Sequence, residues 1–188
     1  MEPFFISTVA IASTEFGDKT QLLALLLASR FKKPIPIILG IFFATLFNHA
    51  IAAFCGEWIG QHLNGVMLHA LLTIFFILAA IWVLKPDRIN PTKENHKNKS
   101  VFLTTAIAFF LAEMGDKTQI ATALMAAQFQ TLVPVILGTT LGILLVNVPV
   151  VILGDKITPY IPIRIVRFIS AAIFLLLALQ ELLKLVME

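Results

Sequence analysis

Hydrophobic residues along the chain gather into six long stretches, roughly 4–29, 35–56, 66–84, 101–127, 133–153 and 164–183. A bilayer-spanning helix takes about 20 apolar residues, so the pattern predicts an all-α integral membrane protein with six transmembrane helices. The interruptions have ordinary causes. Pro34 and Pro36 follow Arg30, Lys32 and Lys33, the stretch from Gly60 to Gly65 is polar, and Pro159 and Pro162 precede the last span. The segment 85–100, KPDRINPTKENHKNKS, is the one clearly hydrophilic linker.

Composition agrees and excludes several classes. Of 188 residues, 59% are apolar and 13% charged, with mean hydropathy +0.92; a soluble domain would have about a quarter charged. Six spans leave no room for a soluble catalytic domain, a nucleotide-binding cassette or a large extramembrane receptor. The single cysteine, Cys55, excludes an intrachain disulfide and a Cys-rich metal site.

The net charge of +3 reports orientation before anything else. Eleven of the 14 Lys and Arg residues fall in the first, third and fifth connections: Arg30, Lys32, Lys33, Lys85, Arg88, Lys93, Lys97, Lys99, Lys156, Arg164 and Arg167. The second and fourth, around Gln61–Asn64 and Gln128–Gln130, have none. Cationic loops stay in the cytoplasm, which predicts a cytoplasmic linker at 85–100 and both termini outside. The start, Met1-Glu2-Pro3-Phe4-Phe5, lacks a basic n-region, so the first apolar stretch is read as a mature span and not a signal peptide.

Sliding the chain by 98 positions exposes an internal repeat. Glu15-Phe16-Gly17-Asp18-Lys19-Thr20-Gln21 falls on Glu113-Met114-Gly115-Asp116-Lys117-Thr118-Gln119. The register continues without a gap through Phe31 and Phe129, Pro36 and Pro134, Gly40 and Gly138, to Gly56 and Gly154. The expected organisation is a first three-helix repeat at 1–84, the linker at 85–100 and a second repeat at 101–188. Three spans per half is an odd number, so the second half is inverted, as in secondary transporters whose substrate sites lie near the midplane at the repeat interface.

Both motifs lie near the middle of a span. On an unbroken helix Glu15, Asp18, Lys19 and Leu22 share one face, as do Glu113, Asp116, Lys117 and Ile120, so four carboxylates can converge on one point. Each ionised residue at a helix centre costs about 2.5–3.5 kcal/mol on insertion scales. A purely structural account pairs Glu15 with Lys19 and Glu113 with Lys117 as i,i+4 ion pairs. It leaves Asp18 and Asp116 without partners and does not explain two identical acid sets. Four carboxylates and two lysines sum to minus two, which one divalent cation or two protons would neutralise, so the site can exchange one for the other.

The donors are hard oxygens: the four carboxylates, the amides of Gln21 and Gln119, the hydroxyls of Thr20 and Thr118, and backbone carbonyls where Gly17 and Gly115 loosen the helix. Such ligands suit magnesium, calcium and manganese. An undistorted helix points Thr20 and Gln21 away from Glu15, which ranks them below the acids. Asn48 and Asn147 are the amides deep in the second and fifth spans, near Pro149, and fit helix packing or a supporting role at the ion equally well. His49, in register with Asn147, is a conceivable proton relay that no symmetric mechanism needs. Glu57 and Asp155 read as interfacial charges.

Two copies of E-x-G-D-K-T, each in the first span of a three-helix half, resemble the E-x-G-D-[KR]-[TS] signature of the Gdt-type cation/proton exchanger family. The resemblance covers essentially the whole chain. It implies export of a divalent cation, Mn2+ ahead of Ca2+, in exchange for protons across a bacterial inner membrane. Glu15, Asp18, Glu113 and Asp116 become the cation ligands, and Lys19, Thr20, Lys117 and Thr118 the rest of the motif. No enzymatic activity and no cofactor are implied; the partners are the metal ion, protons and lipid, with no nucleic acid. Two rival classes share part of this pattern. An intramembrane aspartyl protease would need G-x-G-D, but Glu15 and Glu113 stand where its first glycine belongs. Export of a small basic metabolite would also use four acids; stabilisation by metal rather than by amino acids would separate the two.

Overall fold

A computed structural model describes residues 1–84, 100–153 and 163–187, all of them in or beside helices. The linker at 85–99 and the connection at 154–162, with Gly154, Asp155, Lys156, Pro159 and Pro162, lie outside the described residues.

Among the described residues eight helices follow one another: α1 (Glu2–Glu15), α2 (Lys19–Phe31), α3 (Pro34–His62), α4 (Gly65–Leu84), α5 (Val101–Glu113), α6 (Lys117–Phe129), α7 (Leu132–Leu153) and α8 (Ile163–Met187). The expected first and fourth spans are therefore not continuous. Each is broken at its acidic motif, α1 from α2 at 16–18 and α5 from α6 at 114–116. The cause is local. Gly17 and Gly115 take left-handed φ of 72° and 71°, a conformation that costs other L-residues about 1–2 kcal/mol. Asp18 and Asp116 then adopt the extended backbone of a helix N-cap, and the Asp18 Oδ1 accepts the Lys19 N–H at 2.7 Å.

The helices that follow the two breaks end alike. Lys32 ends α2 and Gln130 ends α6, both at φ 51°, and each backbone N–H reaches back to Ala28 or Ala126. Prolines in the first turn start α3, where the missing N–H costs no hydrogen bond. Among the described residues, three helices are long and apolar enough to cross a membrane: α3, residues 65–82 of α4, and α7.

The long helix of each half packs on the broken helices of the other. α3 lies against α5 and α6, α7 against α1 and α2, and α3 and α7 touch each other. Glycines set the separation. A Cβ on Gly40 would fall 2.7 Å from the Thr105 Cβ, and one on Gly56 would collide with the Ala123 carbonyl. In sequence order, Gly40 meets Thr105, Gly56 meets Ala123 and Gly60 meets Ala127, so α3 runs in the same sense as α5 and α6. Gly138 and Gly142 meet Phe4 and Thr8 of α1 in the same way.

α4 and α8 pair chiefly with each other, and Leu72, Phe76, Ala79, Ala171, Phe174 and Ala178 are buried there. Phe76 and Phe174 stack with centroids 6.3 Å apart. Beyond the apolar seam, Glu181 is wholly buried, accepts from Lys184 Nζ at 2.7 Å and meets His69 Nδ1 at 2.6 Å. Outside the bundle, Ile74, Leu78, Ile81, Leu176 and Leu183 are exposed, an apolar surface suited to lipid.

Candidate cation site

The two helix breaks bring the acidic motifs into the interior, where Glu15 and Glu113 are 0% exposed and Asp18 and Asp116 2% and 3%. Buried charges persist only when paired, hydrogen-bonded or bound to an ion.

The pairing runs between repeats. Lys19 Nζ lies 2.9 Å from Asp116 Oδ1, and Lys117 Nζ lies 3.1 Å from Asp18 Oδ2. The i,i+4 pairs of the purely structural account do not form, because Glu15 and Lys19 do not share a helix, nor do Glu113 and Lys117. Turning the chain at Gly17 and Gly115 sends each lysine across to the aspartate of the other half. The same break removes the single face on which Glu15 and Asp18 were placed.

The glutamates are held differently. Glu15 Oε1 accepts from the Thr20 hydroxyl and, at 3.1 Å, from the Asn147 amide. Glu113 Oε1 accepts from the Thr45 hydroxyl at 2.8 Å. Asn48 donates to the Phe110 carbonyl at 3.0 Å, one turn before Glu113. Thr20 thus belongs beside Glu15 after all, since the break reverses the helix-wheel argument that set it aside. Asn147 is a direct partner of an acid. Thr45 was missed, having Ile143 as its repeat mate; its one signal was its place a turn before Asn48 and His49 on α3.

The glutamines serve the break. Gln21 Oε1 accepts the Gly17 N–H at 2.9 Å and Gln119 Oε1 accepts the Gly115 N–H at 2.6 Å. They satisfy backbone donors that a continuous helix would have bonded.

Several buried oxygens have no hydrogen-bond partner among the described residues: Glu15 Oε2, Glu113 Oε2, Asp116 Oδ2, Thr118 Oγ1 and Asn147 Oδ1. All are hard donors. Among the described residues, no three Asp, Glu, His or Cys side chains are gathered closely enough to hold a metal ion together, so the expected convergence of four carboxylates is only partial in this arrangement.

Paired acids at two helix breaks, tied across a repeat interface inside an apolar bundle, belong to a secondary transporter of cations. Comparison with known proteins narrows the class. The family described as divalent cation/proton antiporter GDT1 matches residues 3–91 and 101–187, and the chain belongs to that family. It is a divalent cation/proton antiporter, and the family is one of transporters rather than enzymes. A Vibrio cholerae protein with the provisional name manganese exporter is 48% identical over 180 residues, which is 95% of this chain and 90% of that one. Two rice proteins named GDT1-like protein 3, from the indica and japonica subspecies, are each 26% identical over 201 residues, 93% of this chain and 71% of theirs. No solved structure matches the chain.

Proposed function

We propose that the protein exports Mn2+ across a bacterial inner membrane in exchange for two protons, with Glu15 and Glu113 as the acids at which ion and protons compete. Glu15, Asp18, Glu113 and Asp116 are its cation ligands, assisted by Thr20, Thr118 and Asn147. The observation that carries this division of labour is the reciprocal pairing of the lysines with the aspartates. Two ammonium groups offset two aspartates, and the uncompensated charge of minus two falls on two buried glutamates, each with a bare oxygen. Two protons or one divalent cation would neutralise them, whereas leaving them ionised and empty is costly.

Six spans in two inverted halves, with the linker at 85–100 cytoplasmic and both termini outside, is the topology we adopt. It is supported by the parallel course of α3 with α5 and α6. α3 follows α2 after only Lys32 and Lys33, a turn that reverses the chain, so the two broken spans run oppositely. The choice of Mn2+ over Ca2+ is supported by the name of the Vibrio relative.

Everted membrane vesicles acidified inside test the reading. Added Mn2+ should release lumenal protons, more effectively than Ca2+ or Mg2+, and Glu15→Gln and Glu113→Gln should each abolish the release. Full exchange by either variant, or a preference for Ca2+, would refute the corresponding part.

A further inference from the structure

His49 is buried in α3 at 0% exposure, and neither of its ring nitrogens has a hydrogen-bond partner among the described residues. Proton–cation exchange at the four acids gives it no role. An imidazole has one donor and one acceptor when neutral, and burying both unsatisfied needs an explanation.

Contacts on either side locate it. Thr45, one turn earlier on the same face of α3, donates to Glu113. Gly56, two turns later on that face, abuts Ala123, and Gly60 abuts Ala127. Its neighbour Asn48 donates to the Phe110 carbonyl, so His49 lies at the level of the end of α5, where Glu113 stands. There, among the described residues, Glu113 Oε2 is also buried and bare. In the repeat register His49 takes the place of Asn147, whose amide holds Glu15 in the other half. One half of the site thus has an amide where the other has an imidazole with a free lone pair.

We infer that His49 supplies a nitrogen ligand to the ion taken up beside Glu113, and that this donor favours first-row transition dications over Ca2+ and Mg2+. The inference rests on the exchange reading above. Calcium and magnesium take oxygen ligands, while transition dications gain from imidazole in the order set by their ligand affinities. Four acids alone offer no such discrimination. A single nitrogen, present in one half only, provides it without disturbing the paired acids.

Electron spin-echo spectroscopy of Mn2+ bound to the purified full-length protein tests this directly. The wild type should show modulation from a directly coordinated 14N nucleus that disappears when the protein is made with 15N-histidine, a comparison that needs no variant. His49→Asn, which installs the residue of the other repeat, should lose the same signal. It should also lower Mn2+ transport relative to Ca2+ transport by about tenfold or more, with Ca2+ transport retained. Bound Mn2+ without nitrogen coupling, or an equal fall for both ions, would overturn the inference while leaving the exchange reading in place. A wild-type protein that neither binds Mn2+ nor releases protons to it would remove both.

Discussion

Asp18 and Asp116 occupy equivalent motif positions, but the lysines they face differ: Lys117 is 5% exposed and Lys19 30%. Removing one partner of a buried ion pair costs roughly 3–5 kcal/mol, because the other charge stays out of water, and a partly hydrated ammonium loses much less. Asp18→Asn should therefore lower stability in detergent clearly more than Asp116→Asn, measured by thermal unfolding of the two purified variants. Equal losses would show that the cross-repeat pairs are energetically equivalent despite their burial. Both variants should lose metal-dependent proton movement, since each removes a proposed ligand.

The helix break is the structural element on which the site depends. A Cβ added at Gly115 meets nothing within 4 Å, so substitution there isolates backbone strain from packing. Gly115→Ala is expected to cost about 1–2 kcal/mol and to weaken Mn2+ binding, because Asp116 and Lys117 are aimed by this turn. Gly115→Asn should recover part of the loss, as asparagine tolerates the left-handed region better. Unchanged Mn2+ affinity in Gly115→Ala, read by calorimetric titration, would mean that the turn does not position the acids. The motif's glutamines bear on the same element: Gln21 and Gln119 bond the glycine N–H groups and stabilise the break from the helix that follows it.

For the whole molecule, charge balance sets the driving force. Moving a divalent cation out of an inside-negative cell opposes the potential by about 4.6 kcal/mol per 100 mV, twice the single-charge value. Two incoming protons cancel that electrical work, leaving the pH gradient to supply about 1.4 kcal/mol per proton per unit. Exchange in proteoliposomes should accordingly be insensitive to an imposed potassium-diffusion potential at fixed pH gradient. Acceleration or slowing by the potential would show a stoichiometry other than two protons per ion, and the two-glutamate account would fail.

Hydropathy, the 98-residue register and the paired E-x-G-D-K-T motifs were sufficient to determine the all-helical class, the family and the residues that carry charge into the apolar interior, because each depends on residue identity and spacing alone. Gly17 and Gly115 even marked where the helices could loosen. Tertiary structure alone decided the partners. Whether Lys19 meets Glu15 or Asp116 depends on a left-handed turn and on how one half lies against the other, and Thr45 and Asn147 reach the acids only through the packing of α3 and α7. Periodicity arguments assume an unbroken helix. At this site two glycines break it, and contacts between residues far apart in sequence replace those that helix periodicity would have predicted.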